Sequence, residues 1–163
     1  MTMTLAYLSE ICRFFLVFVL LASAWGKTAN RAYFAQSLVA DFHITLALSM
    51  PLTWVILGLE WCAFALLASA GPWARVGGGL ALLLMVVFSA VMLDVILRRR
   101  HAYCHCFGRS THPISALDLA RNALYIAACS FYLLNPVSAS PSGLQAQLSL
   151  ILVAFIGFFL SIR

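Results

Sequence analysis

Cys104 and Cys106 stand one residue apart, with His105 between them, in the most polar stretch of the chain, Arg98-Arg99-Arg100-His101-Ala102-Tyr103-Cys104-His105-Cys106-Phe107-Gly108-Arg109. A C-x-C pair can close a small, strained disulfide ring, and strain raises the reduction potential into the range of labile, exchangeable bonds. Arg98, Arg99, Arg100 and Arg109 favour the thiolate, the form that attacks disulfides and binds metals. Thiol–disulfide exchange is therefore the leading chemistry. The competing one is a soft ion, zinc or copper(I), held by Cys104 and Cys106 with His101, His105 or His112. That spacing fits no standard structural zinc pattern. A third reading leaves the pair merely structural.

Ionisable residues within apolar runs are costly and default to functional candidates. Glu60, Asp94 and the Arg121-Asn122 pair are of this kind. Asp94 and Arg121 both lie toward the face that carries the C-x-C loop, so they could pair. Glu60 lies about 24 Å from that face at 1.5 Å per residue, too deep for Arg121. An ion pair that only locks helices together competes with any proton or electron role. Cys12, Cys62 and Cys129 fall in apolar runs and read as small buried side chains. Trp25, Trp54, Trp61, Trp73, Tyr103 and Tyr125 could line a quinone pocket but read better as interface anchors and packing. Met50, Met85 and Met92 could continue a metal path but more often fill gaps.

The elements that position these groups must be membrane helices. Of the 163 residues, 64% are hydrophobic and 9% charged, with a mean hydropathy of +1.00, more apolar surface than a soluble core of this size absorbs. Spans are expected over about 5–26, 44–70, 73–97, 115–134 and 144–162, each near the length of about 20 residues that crosses a bilayer. Ala22-Ser23-Ala24 has the form of a cleavage site, but the first segment is read as a retained span. Residues 27–43 should form an amphipathic helix at the membrane surface. Pro51 should kink or loosen the second span, and Gly77-Gly78-Gly79 should let a neighbouring helix approach the third. Ser115-x-x-Asp118 has the capping-box pattern that starts a helix. The net charge of +5 sits in short loops, which points to topology and lipid headgroups rather than nucleic acid. No glycine-rich phosphate loop or serine-histidine-acid grouping is present. The whole chain reads as a single integral membrane domain.

Cys104-His105-Cys106-Phe107-Gly108, followed by Arg121-Asn122 early in the next span, resembles the signature of the MauE family of bacterial membrane proteins, which is related to DoxX-like four-helix membrane proteins. Gly26-Lys27, Pro51 and Glu60 extend the resemblance over most of the chain. It implies an all-α bundle with a four-helix DoxX-like core and an additional C-terminal span, about five transmembrane helices in all. It also implies a thiol-disulfide oxidoreductase of the bacterial inner membrane that supports maturation of an exported client, classically in methylamine utilisation, beside a thioredoxin-like partner. Cys104 and Cys106 would be the exchangeable pair, with His105, Arg121, Asn122, Asp94 and Glu60 in support. A bilayer quinone is the candidate electron acceptor, by analogy with other four-helix disulfide-forming proteins.

Two lines bear on orientation. Lys27, Arg31, Arg98, Arg99, Arg100, Arg109 and Arg163 fall on one face and Arg13 and Arg75 on the other, so the positive-inside rule places the C-x-C loop in the cytoplasm. Disulfide chemistry on exported proteins requires the loop outside, and that placement is the expectation. A metal-handling membrane protein and an accessory subunit of a larger complex are the alternatives.

Overall fold

Lipid offers no hydrogen bonds to an exposed amide, so a chain this apolar must satisfy its backbone internally. The computed structural model describes residues 2–40, 44–69, 71–98, 115–135 and 151–159, and all regular structure among them is helical. Helix α1 (Thr2–Ala29) is followed by α2 (Arg31–Ala40), α3 (Leu46–Ala68), α4 (Pro72–Leu97) and α5 (Ala116–Leu134). A sixth helix, α6, covers 151–159. Three helices, α1, α3 and α4, are long and apolar enough to cross a membrane. Helix α5 has 19 residues but carries Asp118, Arg121 and Asn122 in its first two turns, which lowers its hydropathy. The remainder of the expected fifth span lies outside the described residues.

Each boundary has a local cause. At the end of α1 the Asn30 amide side chain donates to the Gly26 carbonyl at 3.1 Å, satisfying one of the helix's last acceptors. Gly71, at φ +78°, takes the left-handed conformation that glycine adopts without steric cost, and Pro72 opens α4 at its first position. Ser115 starts α5 as its pattern predicts. Its backbone N–H and its hydroxyl both donate to the Asp118 carboxylate at 3.0 Å. Asp118→Ala is expected to destabilise the protein by about 1 to 2 kcal/mol, read as a lower midpoint of unfolding in detergent micelles. Helix α3 continues through Pro51, which forfeits one backbone hydrogen bond near the helix's start.

Helices α1, α3, α4 and α5 close a ring, in which α3 neighbours α1 and α4, and α5 neighbours α4 and α1. Their shared core holds Leu16, Val19 and Leu20 of α1, Ala63 and Leu67 of α3, Ala81, Leu84 and Met85 of α4, and Tyr125, Cys129 and Tyr132 of α5. Gly77 lies against the backbone of Leu66 and Leu67, and Gly78 lies under the Tyr132 ring. The small-residue stripe thus does what its composition predicts, except at Gly79, which faces open space. Arg13 ties α1 to the end of α3. It pairs with Glu10 at 2.8 Å and donates to the Ser69 carbonyl at 3.0 Å. Helix α2 buries Phe34, Ala35, Ser37 and Leu38 and packs on α3. Phe155 and Phe158 of α6 meet Phe18 of α1, with ring centroids 5.5 and 6.2 Å apart.

The distribution of side chains is inverted relative to a protein in water. Leu46, Leu83, Leu97, Leu117 and Trp54 point outward, while Ser23, Lys27, Ser49, Thr53, Glu60 and Asn122 are buried. When the solvent is hydrocarbon, leucine is at home outside and polar groups gather where they can pair. The chain is a multi-pass membrane protein in contact with the lipid bilayer.

Candidate functional site

Glu60 is the pivot of the buried polar groups. Its side chain is 0% exposed and that of Lys27 is 3% exposed, and the Lys27 Nζ stands 2.6 Å from Glu60 Oε1. Ser23, one turn before Lys27 on α1, donates its hydroxyl to the same Oε1 at 3.1 Å and accepts from Nζ at 2.6 Å. The ammonium also lies over two aromatic rings, 5.7 Å from the Phe34 centroid on α2 and 5.2 Å from Phe88 on α4. Four helices therefore converge on one charge pair. The second carboxylate oxygen, Glu60 Oε2, is buried and has no hydrogen-bond partner among the described residues.

A cleft between α1, α4 and α5 adjoins this pair. Ser23 and Phe88 form part of its wall, Asn122 and Tyr125 another part, and Asp118 and Arg121 its rim. Its enclosed volume is about 20 Å³, room for one water molecule. Asn122 is held rigidly, donating to the Met85 carbonyl at 3.1 Å and the Ser89 hydroxyl at 2.8 Å. Arg121 pairs with Asp118 at 2.8 Å. These two side chains are about one-quarter and one-fifth exposed, so the rim is the polar opening of the cleft.

Several expectations change. The Asp94–Arg121 pair does not form. Asp94 is bound to Arg98 at 2.6 Å and Arg121 to Asp118, because partners three or four residues away on the same helix are already adjacent. Lys27, expected among the basic residues of a membrane face, is instead buried inside the bundle. Depth counted along α3 alone hid this pairing. Glu60 lies 14 residues beyond Leu46, about 21 Å along the axis, yet it sits level with the end of α1. Trp61 donating to Thr28 at 3.1 Å marks the same level. The helices do not start in one plane, so Lys27 reaches a residue that looked too deep. Neither the burial of Lys27 nor its partnership is contained in the sequence pattern, which sets Lys27 on the membrane face.

The thiols divide as follows. Cys12, Cys62 and Cys129 are free. Cys129 is buried in the core, Cys12 packs against that core, and Cys62 is exposed rather than buried. Cys104, Cys106, His101, His105 and His112 lie outside the described residues, in the segment that joins α4 to α5. Among the described residues no three His, Cys, Asp or Glu side chains are grouped to hold a metal ion. Of the aromatic residues, Trp25, Trp54 and Trp73 are exposed as interface anchors would be, and Tyr125 is buried.

Four of the residues that carried the sequence resemblance are thereby brought close together. Lys27 and Glu60 form the buried pair, and Arg121 and Asn122 line the cleft beside it. A family model described as methylamine utilisation protein MauE matches residues 5–135, which takes in α1 to α5 and leaves out α6. No curated protein and no solved structure matches the chain.

Proposed function

The chain belongs to the MauE family, and from that premise we propose that it is a thiol–disulfide redox protein of the bacterial inner membrane, serving the maturation of exported proteins. The observation that carries this reading is the C-x-C pair, Cys104 and Cys106, set among arginines between α4 and α5 of a family member. A thiolate of a thioredoxin-like partner attacks one sulfur of the Cys104–Cys106 disulfide and forms a mixed disulfide. The partner's second thiolate then displaces the family cysteine. The partner leaves oxidised by two electrons, and Cys104 and Cys106 are left as the reduced dithiol. A bilayer quinone is the acceptor that reoxidises them, itself becoming the quinol. The family's association with methylamine utilisation makes a protein of that pathway the first client to test. The ring formed by α1, α3, α4 and α5 accords with a DoxX-like core, α6 forms part of the fifth span, and the loop faces the periplasm.

The test is labelling of Cys104 and Cys106 in intact cells with a membrane-impermeant maleimide, in a variant with Cys12, Cys62 and Cys129 replaced by alanine. Labelling from outside that appears only after mild reduction is the expected result. Thiols that are free without reductant and reached only after permeabilisation would sink the proposal and move attention to a cytoplasmic metal site.

A further inference from the structure

We propose that Glu60 is a proton-exchange site within the bilayer, reached from the end of the bundle where α5 begins through the cleft between α1, α4 and α5. This inference does not depend on the chemistry of Cys104 and Cys106.

The two oxygens of Glu60 are unequally satisfied. Burying a carboxylate is tolerable when both oxygens are bonded and its charge is paired. Glu60 meets only half of that condition. Oε1 receives both the Lys27 ammonium and the Ser23 hydroxyl, whereas Oε2 receives nothing from the described residues and is fully buried. An acceptor left open in this way, on a carboxylate buried among four helices, is suited to one small ligand, a hydrogen on the oxygen itself.

The surroundings let that hydrogen come and go without the site collapsing. A purely structural ion pair would lose its cation's only partner when the carboxylate was neutralised. Lys27 keeps others. Its Nζ lies over the Phe34 and Phe88 rings, and the faces of aromatic rings hold a desolvated ammonium. The Ser23 oxygen accepts from it as well. Among the described residues, the groups that face the carboxylate are these. From α1 it meets Lys27, from α2 and α4 the two rings, and Arg31 of α2 lies instead over Trp54 at 5.7 Å. Across the cleft, Asp118 and Arg121 of α5 are paired with each other.

The route is a short hydroxyl relay. Ser23 belongs both to the Glu60 cluster and to the wall of the cleft, and the cleft has room for one water. A solvent proton entering at the Asp118–Arg121 rim passes through a water in the cleft to the Ser23 oxygen as the Ser23 hydroxyl gives its hydrogen to Glu60 Oε1, so that the water is left neutral. Rotation of the carboxyl group by half a turn then carries the hydrogen to Oε2 and returns a free oxygen to Lys27. One proton enters, one O–H bond forms on Glu60, and Ser23 and Lys27 end as they began. Release runs the same steps backward.

Glutamate occurs twice in the sequence, at Glu10 and Glu60, which makes the site accessible to isotope-edited infrared spectroscopy. The full-length protein is prepared with carboxyl-labelled glutamate in lipid nanodiscs and titrated. The Glu10→Gln variant leaves Glu60 as the sole labelled carboxyl, so the assignment stands even if Glu60→Gln does not fold. A labelled protonated-carboxyl band that rises and falls with pH in Glu10→Gln is the expected result. Filling the cleft with Asn122→Leu should slow hydrogen–deuterium exchange of that band by about tenfold. The proposal is overturned if Glu10→Gln gives no labelled acid band at any pH at which the protein remains folded. It is equally overturned if exchange is as fast in Asn122→Leu as in the parent.

Discussion

Lys27→Met is expected to destabilise the bundle by about 3 to 5 kcal/mol, because it leaves the Glu60 charge buried with a single hydroxyl donor. The double variant Lys27→Met with Glu60→Leu should recover most of that loss, since an apolar pair of similar volume needs no compensation. Glu60→Gln alone should be milder than Lys27→Met, because the stranded ammonium retains the Phe34 and Phe88 rings and the Ser23 oxygen. The measurement is the unfolding midpoint of the detergent-solubilised protein across the three variants. If the double variant were as unstable as Lys27→Met, the pair would not act as a unit, and its account here would be wrong.

The second large effect belongs to the α3–α4 hairpin. A methyl group at Gly77 would lie 2.8 Å from the Leu66 carbonyl carbon and closer still to the Leu67 amide nitrogen. Those are backbone atoms, so relief requires the two helices to part. Gly77→Ala should therefore cost about 1 to 3 kcal/mol, as overpacking does, and Gly77→Val more. Gly79→Ala, two residues away, meets nothing within 4 Å. It should be neutral or stabilise by up to about 1 kcal/mol through better helix propensity. Unfolding midpoints of Gly77→Ala and Gly79→Ala, compared side by side, decide the matter. Equal effects would show that close helix approach is not what Gly77 supplies.

The helices were legible in the sequence because long apolar runs bounded by Gly71-Pro72 and by Ser115-x-x-Asp118 leave a chain in lipid few choices. Sequence patterning also marked Glu60, Arg121 and Asn122 as unusual, because polar groups stand out against such a background. It did not show which of them meet. Pairing across helices depends on how far each helix is shifted along its neighbours, and no single-helix count contains that shift. Counted helix by helix, Lys27 falls on a surface, Glu60 has no partner and Asp94 can face Arg121, whereas Lys27 meets Glu60 and Arg98 is nearer to Asp94. The α2 segment was read more accurately, since Phe34 and Leu38 recur at helical spacing and do form a buried face.

The place of Lys27 within α1 also bears on how the protein is built. It lies two residues before the helix ends, close enough for its alkyl stem to carry the ammonium to the headgroups while the rest of the chain is still being made. Glu60, in the middle of a span, has no such exit, and α3 emerges after α1. The ammonium is thus a charge that only the assembled bundle, with Glu60 of α3 and the rings of α2 and α4 around it, holds away from the headgroups.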